Sequence, residues 1–204
     1  MTVATVKAVA TRFLISNTPE VLALKGAWGV GKTYLWNQLI QQCNIDIKLA
    51  NYCYVSLFGI SSIKELRTAI FVKTKPVKRL GKESGSRIED NKQALLSWGG
   101  LKSIVNGLSK LNHLPYIGNS VSITLETVAS HFVSETIICL DDFERLNQQL
   151  ITIDEILGII SELKEEKGCK VVLIFNEDKL DSRETYKRYR EKVVDIELLV
   201  VGFP

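Results

Sequence analysis

No stretch of the 204-residue sequence is apolar for long enough to cross a bilayer, so no membrane span is expected. A secretory signal is also missing, because Met1–Ala10 has Lys7 inside it and no long apolar run. Charge of one sign is scarce: a formal net charge of +3 is too small to imply nucleic acid as a partner. The four cysteines, Cys43, Cys53, Cys139 and Cys169, form no C-x-x-C pair and have no metal-ligand spacing. Cys53 and Cys139 lie in apolar, strand-like runs, so reduced core thiols are expected, which suits a cytoplasmic protein. The two histidines, His113 and His131, have no partners at metal spacing and read as surface or satisfied side chains. What remains is ordinary for a globular domain, with 46% hydrophobic and 24% charged residues. The length suits one sizeable core, so residues 1–204 are expected to form a single domain.

The strongest signal is Gly26-Ala27-Trp28-Gly29-Val30-Gly31-Lys32-Thr33, which fits G-x-x-x-x-G-K-[ST], the phosphate-binding loop. Backbone N–H groups must approach a triphosphate closely, so glycines supply unusual dihedrals and leave room. Lys32 brings a point charge to the β- and γ-phosphates, and the Thr33 hydroxyl can ligate Mg²⁺. Such a loop must leave a strand and open a helix, so that the helix N-terminus faces the anion. Val21-Leu22-Ala23-Leu24 supplies the strand and Tyr34-Leu35-Trp36-Asn37-Gln38-Leu39-Ile40 the helix. Lys32 is expected to be solvent-accessible in the empty loop.

The rest of the chain alternates helix and strand. Val3–Ile15 reads as a helix, ended by Asn17-Thr18-Pro19. Arg12 and Phe13 lie where a nucleobase could seat, with packing the preferred role. Asn51–Phe58 is a second strand, and Ser62-Ile63-Lys64-Glu65 is a capping box opening a short helix with Ile63, Leu66 and Ile70. Lys73 to Arg87 carries Lys73, Lys75, Lys78, Arg79, Lys82 and Arg87 against Glu83 alone. It reads as a solvated, mobile surface loop, with contact to nucleic acid or anionic lipid as the alternative. Leu101, Ile104, Val105, Leu108 and Leu111 mark an amphipathic helix stopped at Asn112-His113-Leu114-Pro115. This basic loop and helix form an insertion at about 72–115. Val121–Val133 leans to helix.

Ile137-Ile138-Cys139-Leu140-Asp141-Asp142 is the second strong signal, a buried parallel strand that delivers acids at its C-terminal end. Asp141 is expected to hold the Mg²⁺ shell and Asp142 to polarise the attacking water, with Glu144 the runner-up. Thr152-Ile153-Asp154-Glu155 is another capping box, and Ile153, Ile156, Leu157, Ile160 and Leu163 form a stripe on a helix ended by Gly168. Lys170–Phe175 is a buried strand with Asn176 at its end. Glu177–Lys192 reads as a charged helix and Val193–Val201 as a last strand.

These pieces resemble the KAP family of P-loop NTPases, relatives of the STAND and AAA+ ATPases. The resemblance rests on the loop Gly26–Thr33 (Walker A), in which a Trp such as Trp28 is typical of the family. It rests also on Asp141-Asp142-Phe143-Glu144-Arg145 (Walker B), similar to D-D-h-D-R with Glu144 in place of Asp. It implies a three-layer α/β/α sandwich around a mainly parallel five-stranded sheet ordered 5-1-4-3-2. Asn176 then holds the sensor position, between Lys32 and Asp141, and Arg145 joins the candidate catalytic residues. It also implies a helical lid, further domains and an arginine finger, which a longer chain, a partner or a second copy would supply. Some bacterial relatives are linked to defence against phage, which extends the expectation to a defence or signalling protein.

The reading is therefore a Mg²⁺-dependent ATPase core whose hydrolysis drives a conformational switch. Its alternatives are a nucleotide-gated scaffold with little turnover and, further off, a small-molecule kinase using Lys73–Arg87 as a lid. Arg188 and Arg190 read as a solvated helix face. With no arginine placed on the γ-phosphate, the isolated chain is expected to turn over slowly.

Overall fold

The computed structural model describes residues 2–80 and 133–202. In chain order its elements are α1 (Val3–Ile15), β1 (Val21–Lys25), α2 (Lys32–Cys43), β2 (Asn51–Ser56), α3 (Ile63–Lys73) and β3 (Lys75–Pro76). After the undescribed stretch come β4 (Thr136–Asp141), α4 (Ile153–Glu165), β5 (Lys170–Phe175), α5 (Arg183–Val193) and β6 (Ile196–Leu199).

Every position of β1, β4 and β5 is buried. Successive side chains of a strand point to opposite faces, so a sheet with such strands needs cover on both sides. On one face Val21, Ala23, Ile138, Leu140, Val171 and Leu173 pack with Leu66 of α3, Ile156 and Ile160 of α4, and Tyr186 of α5. On the other face Leu22, Leu24, Ile137, Cys139, Val172 and Ile174 pack with Val6 and Phe13 of α1 and with Leu35, Trp36 and Leu39 of α2. The three-layer sandwich is thus present. All four cysteines are buried and free.

The sheet runs β3-β2-β4-β5-β1-β6. Its five parallel strands keep the expected order, so β5, which carries Asn176 at its end, lies between β1 and β4. A sixth, edge strand corrects the expected count: Lys75–Pro76 pairs antiparallel to Asn51 and Tyr52. Proline, which has no N–H to donate, suits an edge.

The same strand corrects the reading of Lys73 onward as a solvated loop. Val77 and Leu80 are only 2% and 7% exposed, and Asn44 Nδ2 donates to the Leu80 carbonyl at 2.8 Å. Two apolar side chains among the lysines are what dock the segment, and the charge count had hidden them. Lys82, Glu83 and Arg87, the helix read from Leu101 to Leu111, both histidines and nearly all of Val121–Val133 lie outside the described residues.

Three local readings are refined. The Ser62 hydroxyl accepts from Glu65 N, but the Glu65 carboxylate reaches back to Ser61 rather than Ser62, so the capping box is only half formed. At Thr152 both halves are present. The charged helix begins at Arg183, after a separate turn at Glu177–Lys179, and Val193 closes it rather than opening the last strand.

A buried cation ties α1 to the sheet. Lys170, 0% exposed, donates to Ser16 Oγ at 2.7 Å, lies 3.5 Å from the Glu20 carboxylate and sits 4.4 Å over the Phe13 ring. Burial lowers its pKa from the ordinary 10.5, against the pull of Glu20. Phe13 itself is 1% exposed and packs on Trp36, so its role is packing, as preferred.

Candidate functional site

The segment after β1 is shaped by close approach. The Gly26 amide donates to the Phe175 carbonyl at 3.3 Å, and a Cβ on Gly26 would stand 2.5 Å from the Val200 carbonyl oxygen. Gly31 takes φ 85° and ψ 20° as the N-cap of α2, a left-handed conformation that glycine adopts without penalty. The helix then starts at Lys32 with no acid in its first turn, so its N-terminal amides are free to face an anion.

Lys32 is 9% exposed, which corrects the expectation of an accessible side chain. Its Nζ folds back onto the loop and donates to the carbonyls of Gly26 and Ala27 at 2.8 and 2.9 Å. A buried ammonium needs acceptors, and these two carbonyls supply them. Burial lowers its pKa, while Glu144, Asp141 and Asp142 hold it up.

The acids arrive from the end of β4. Asp141 sits beside Ser56 across the β2–β4 ladder. Its Oδ2 accepts from Thr33 Oγ1 at 2.8 Å and from the Tyr54 hydroxyl at 2.6 Å, and its Oδ1 accepts from the Asp142 amide at 2.8 Å. A hydroxyl and a carboxylate in contact are hard oxygen donors that fit Mg²⁺, which takes one or two protein oxygens and leaves its other positions to water and phosphate.

Asp142 bends the chain with φ 57° and ψ 35°, a left-handed conformation that aspartate tolerates better than most residues. Its carboxylate accepts from Ser56 Oγ at 2.8 Å and pairs with Arg145 Nε at 3.3 Å. Phe143 is buried against Phe175 and Tyr186, with ring centroids 5.5 and 6.2 Å away. That anchor holds the Phe143–Arg145 turn so that the residues on either side of it border one cavity.

The cavity measures about 300 Å³ and is lined by Trp28, Gly29, Gly31, Lys32, Thr33, Tyr34, Asp141, Asp142, Glu144, Arg145 and Phe175. Its volume is at the lower end of the range for small-molecule sites. Of the residues read from the sequence, Gly26, Ala27 and Val30 support the loop from outside this lining. Asn176 also stands apart: it is 5% exposed, and its side-chain oxygen accepts from the Asp178 amide at 3.1 Å, capping the turn after β5.

Sequence reasoning missed Tyr54 and Ser56. Both point from β2 to the same edge as the acids, and their alternation with Cys53 and Val55 was the available signal. It also missed what Trp28 does. The indole Nε1 donates to Glu144 Oε1 at 2.6 Å, and the Arg145 guanidinium and Lys179 ammonium lie 5.5 and 5.6 Å from the ring.

The sequence profile of the KAP family P-loop domain matches residues 5–198. No curated protein matches the chain. Among solved structures, Cdc6p from Pyrobaculum aerophilum is similar at 14% identity and TM-score 0.49, over 97% of this chain and 43% of that one. The Aeropyrum pernix ORC2 protein is similar at 14% identity and TM-score 0.46, over 97% and 46%. PCH-2 of C. elegans follows at 14% identity and TM-score 0.43, over 98% and 43%. The chain therefore spans less than half the length of each.

Proposed function

Because the chain belongs to the KAP family of P-loop domains, which makes it a nucleotide-binding P-loop NTPase, we propose that it binds ATP with Mg²⁺ at the Gly26–Thr33 loop and hydrolyses it to switch conformation. The observation that carries the reading is the contact of Thr33 with Asp141 in the cavity that Lys32 also borders. One loop hydroxyl, one strand-end carboxylate and one ammonium are the groups that a metal-bound triphosphate requires.

In this reading Lys32 leaves the carbonyls of Gly26 and Ala27 for the β- and γ-phosphates. The amides of residues 29–33 face the phosphate oxygens. Thr33 and Asp141 would hold Mg²⁺, which would supply positive charge against the phosphates. Tyr54 fixes the Asp141 carboxylate. Two acids compete for the proton of the attacking water: Asp142, already engaged by Ser56 and Arg145, and Glu144, which keeps one oxygen without a donor. Asn176 accepts from Asp178 through its side-chain oxygen, which leaves its side-chain NH₂ as the group that would donate to a phosphate. Arg145 is the arginine nearest the reaction, with a partner or second copy as the alternative source.

The scaffold reading, ATP bound with little turnover, is supported by the pairing of Arg145 with Asp142, which holds that guanidinium on a carboxylate instead of a phosphate. A role in bacterial defence or signalling is proposed at the level of the family alone.

The test is thermal unfolding with ATP·Mg²⁺. At one hundred times its dissociation constant the ligand should stabilise the fold by about 2.7 kcal/mol, a rise of roughly 5–10 °C. Lys32→Ala should remove the shift while leaving a cooperative transition. An equal shift in the variant would remove the site from the loop.

A further inference from the structure

Glu144 is held in an unusual way. One carboxylate oxygen takes the Trp28 indole hydrogen bond at 2.6 Å, while the other, Oε2, is buried beside the cavity with no protein group donating to it. It is the one such side-chain atom among the described residues. The carboxylate is held by the indole and by the positive charge of Lys32. Glu144 is the acid that acts most strongly on Lys32. Trp28 belongs to the loop itself, is 55% exposed, and has Arg145 and Lys179 beside its ring. The tie between Trp28 and Glu144 therefore joins the phosphate-binding segment to the turn after β4, and both residues border the cavity.

We propose that Trp28 is a positioning residue for Glu144, holding the carboxylate before phosphates arrive and releasing it when they do, and that the released Glu144 is the acid that activates water. The inference rests on the nucleotide-binding reading above. Three features give the direction. A triphosphate puts negative charge into the field of Lys32 that Glu144 now occupies, and two anions there repel. Lys32 must let go of the carbonyls of Gly26 and Ala27, the residues directly before Trp28, so the loop shifts at the point where the catch is attached. Asp142 is held by two groups, Ser56 and Arg145, whereas one bond, from the Trp28 indole, holds Glu144, so Glu144 is the acid more readily moved. In the step that follows, the water oxygen bonds to the γ-phosphorus and its proton passes to the Glu144 carboxylate. The bond from phosphorus to the β–γ bridging oxygen breaks, and its electron pair stays on ADP.

Nuclear magnetic resonance on the full chain tests the catch directly. The three tryptophans, Trp28, Trp36 and Trp98, give three indole N–H resonances, and Trp28→Phe identifies the one concerned. In the nucleotide-free protein, Glu144→Ala should move that resonance, and saturating AMP-PNP·Mg²⁺ should move the wild-type resonance towards the position seen in Glu144→Ala. Single-turnover phosphate release then tests the acid. Glu144→Gln keeps an oxygen for the indole and cannot take a proton, so its rate should fall about a hundredfold while ATP affinity stays within threefold. A nucleotide-induced thermal shift with an unmoved Trp28 resonance overturns the catch and leaves the proposed function standing. A Glu144→Gln rate equal to wild type, or a wild-type chain that binds ATP and releases no phosphate, overturns the role of Glu144. Absence of any thermal shift takes both proposals down together.

Discussion

A single missing methyl group shapes the root of the binding loop. The Gly26 Cα faces the Val200 carbonyl so closely that a Cβ would stand 2.5 Å from the oxygen and 3.1 Å from a Val30 methyl. Neither backbone can yield without disturbing β1 or β6. Gly26→Ala should therefore destabilise the fold by about 1–3 kcal/mol, read as a lowered denaturant midpoint at unchanged slope. A neutral substitution would mean that β6 does not close on the loop in this way. At this scale the sequence was legible wherever chemistry fixes spacing. Gly31, Lys32, Thr33 and Asp141 border one cavity because the G-x-x-x-x-G-K-[ST] pattern and a strand ending in acids demand it. The Tyr54 and Trp28 bonds were not legible, because each links residues 87 or 116 positions apart in the chain, and no local pattern encodes such a pair. The burial of Lys32 was not legible for a related reason: where its ammonium rests depends on carbonyls that only the folded loop presents.

Among the elements, α1 depends on a charge inside the core. Lys170 is fully buried, and burial lowers its pKa below the ordinary 10.5. Below the folded-state value the lysine is protonated whether the chain is folded or not, and the cost of burying the charge is present in full. As pH rises from that value towards 10.5 the unfolded chain holds the extra proton, so stability rises with pH. Lys170→Met fills the same space without a charge and lacks that dependence. Wild type should therefore gain on the variant as denaturant midpoints are compared from neutral pH upwards. Lys32, shifted in the same direction, is common to both proteins and cancels in the difference. Parallel curves would mean that Lys170 stays solvated. Elements were the most legible scale, since helices such as α4 carry both their stripe and their cap in consecutive residues. The short β3 was not, because two residues pairing with an edge have no periodicity to detect, and their lysines masked Val77 and Leu80.

For the molecule as a whole, the question is whether one chain completes a hydrolytic site. Arginine on the transferring phosphate contributes on the order of a thousandfold or more in P-loop enzymes. Arg145 borders the cavity but is paired with Asp142, and Arg190 is paired with Glu197 at 2.9 Å. Steady-state phosphate release should accordingly be slow, well below common enzyme rates. A high rate per chain that is independent of protein concentration would show that Arg145 already serves in cis. The contact between Gly26 and Val200 ties the loop to the end of β6. Val200 N bonds the Lys25 carbonyl at 2.8 Å, and Gly26 N bonds the Phe175 carbonyl at 3.3 Å, so the foot of the loop is clamped from two sides. In mechanical terms the loop is a post footed in the sheet. Val200, the residue after β6, is the joint through which that strand bears on the foot of the post.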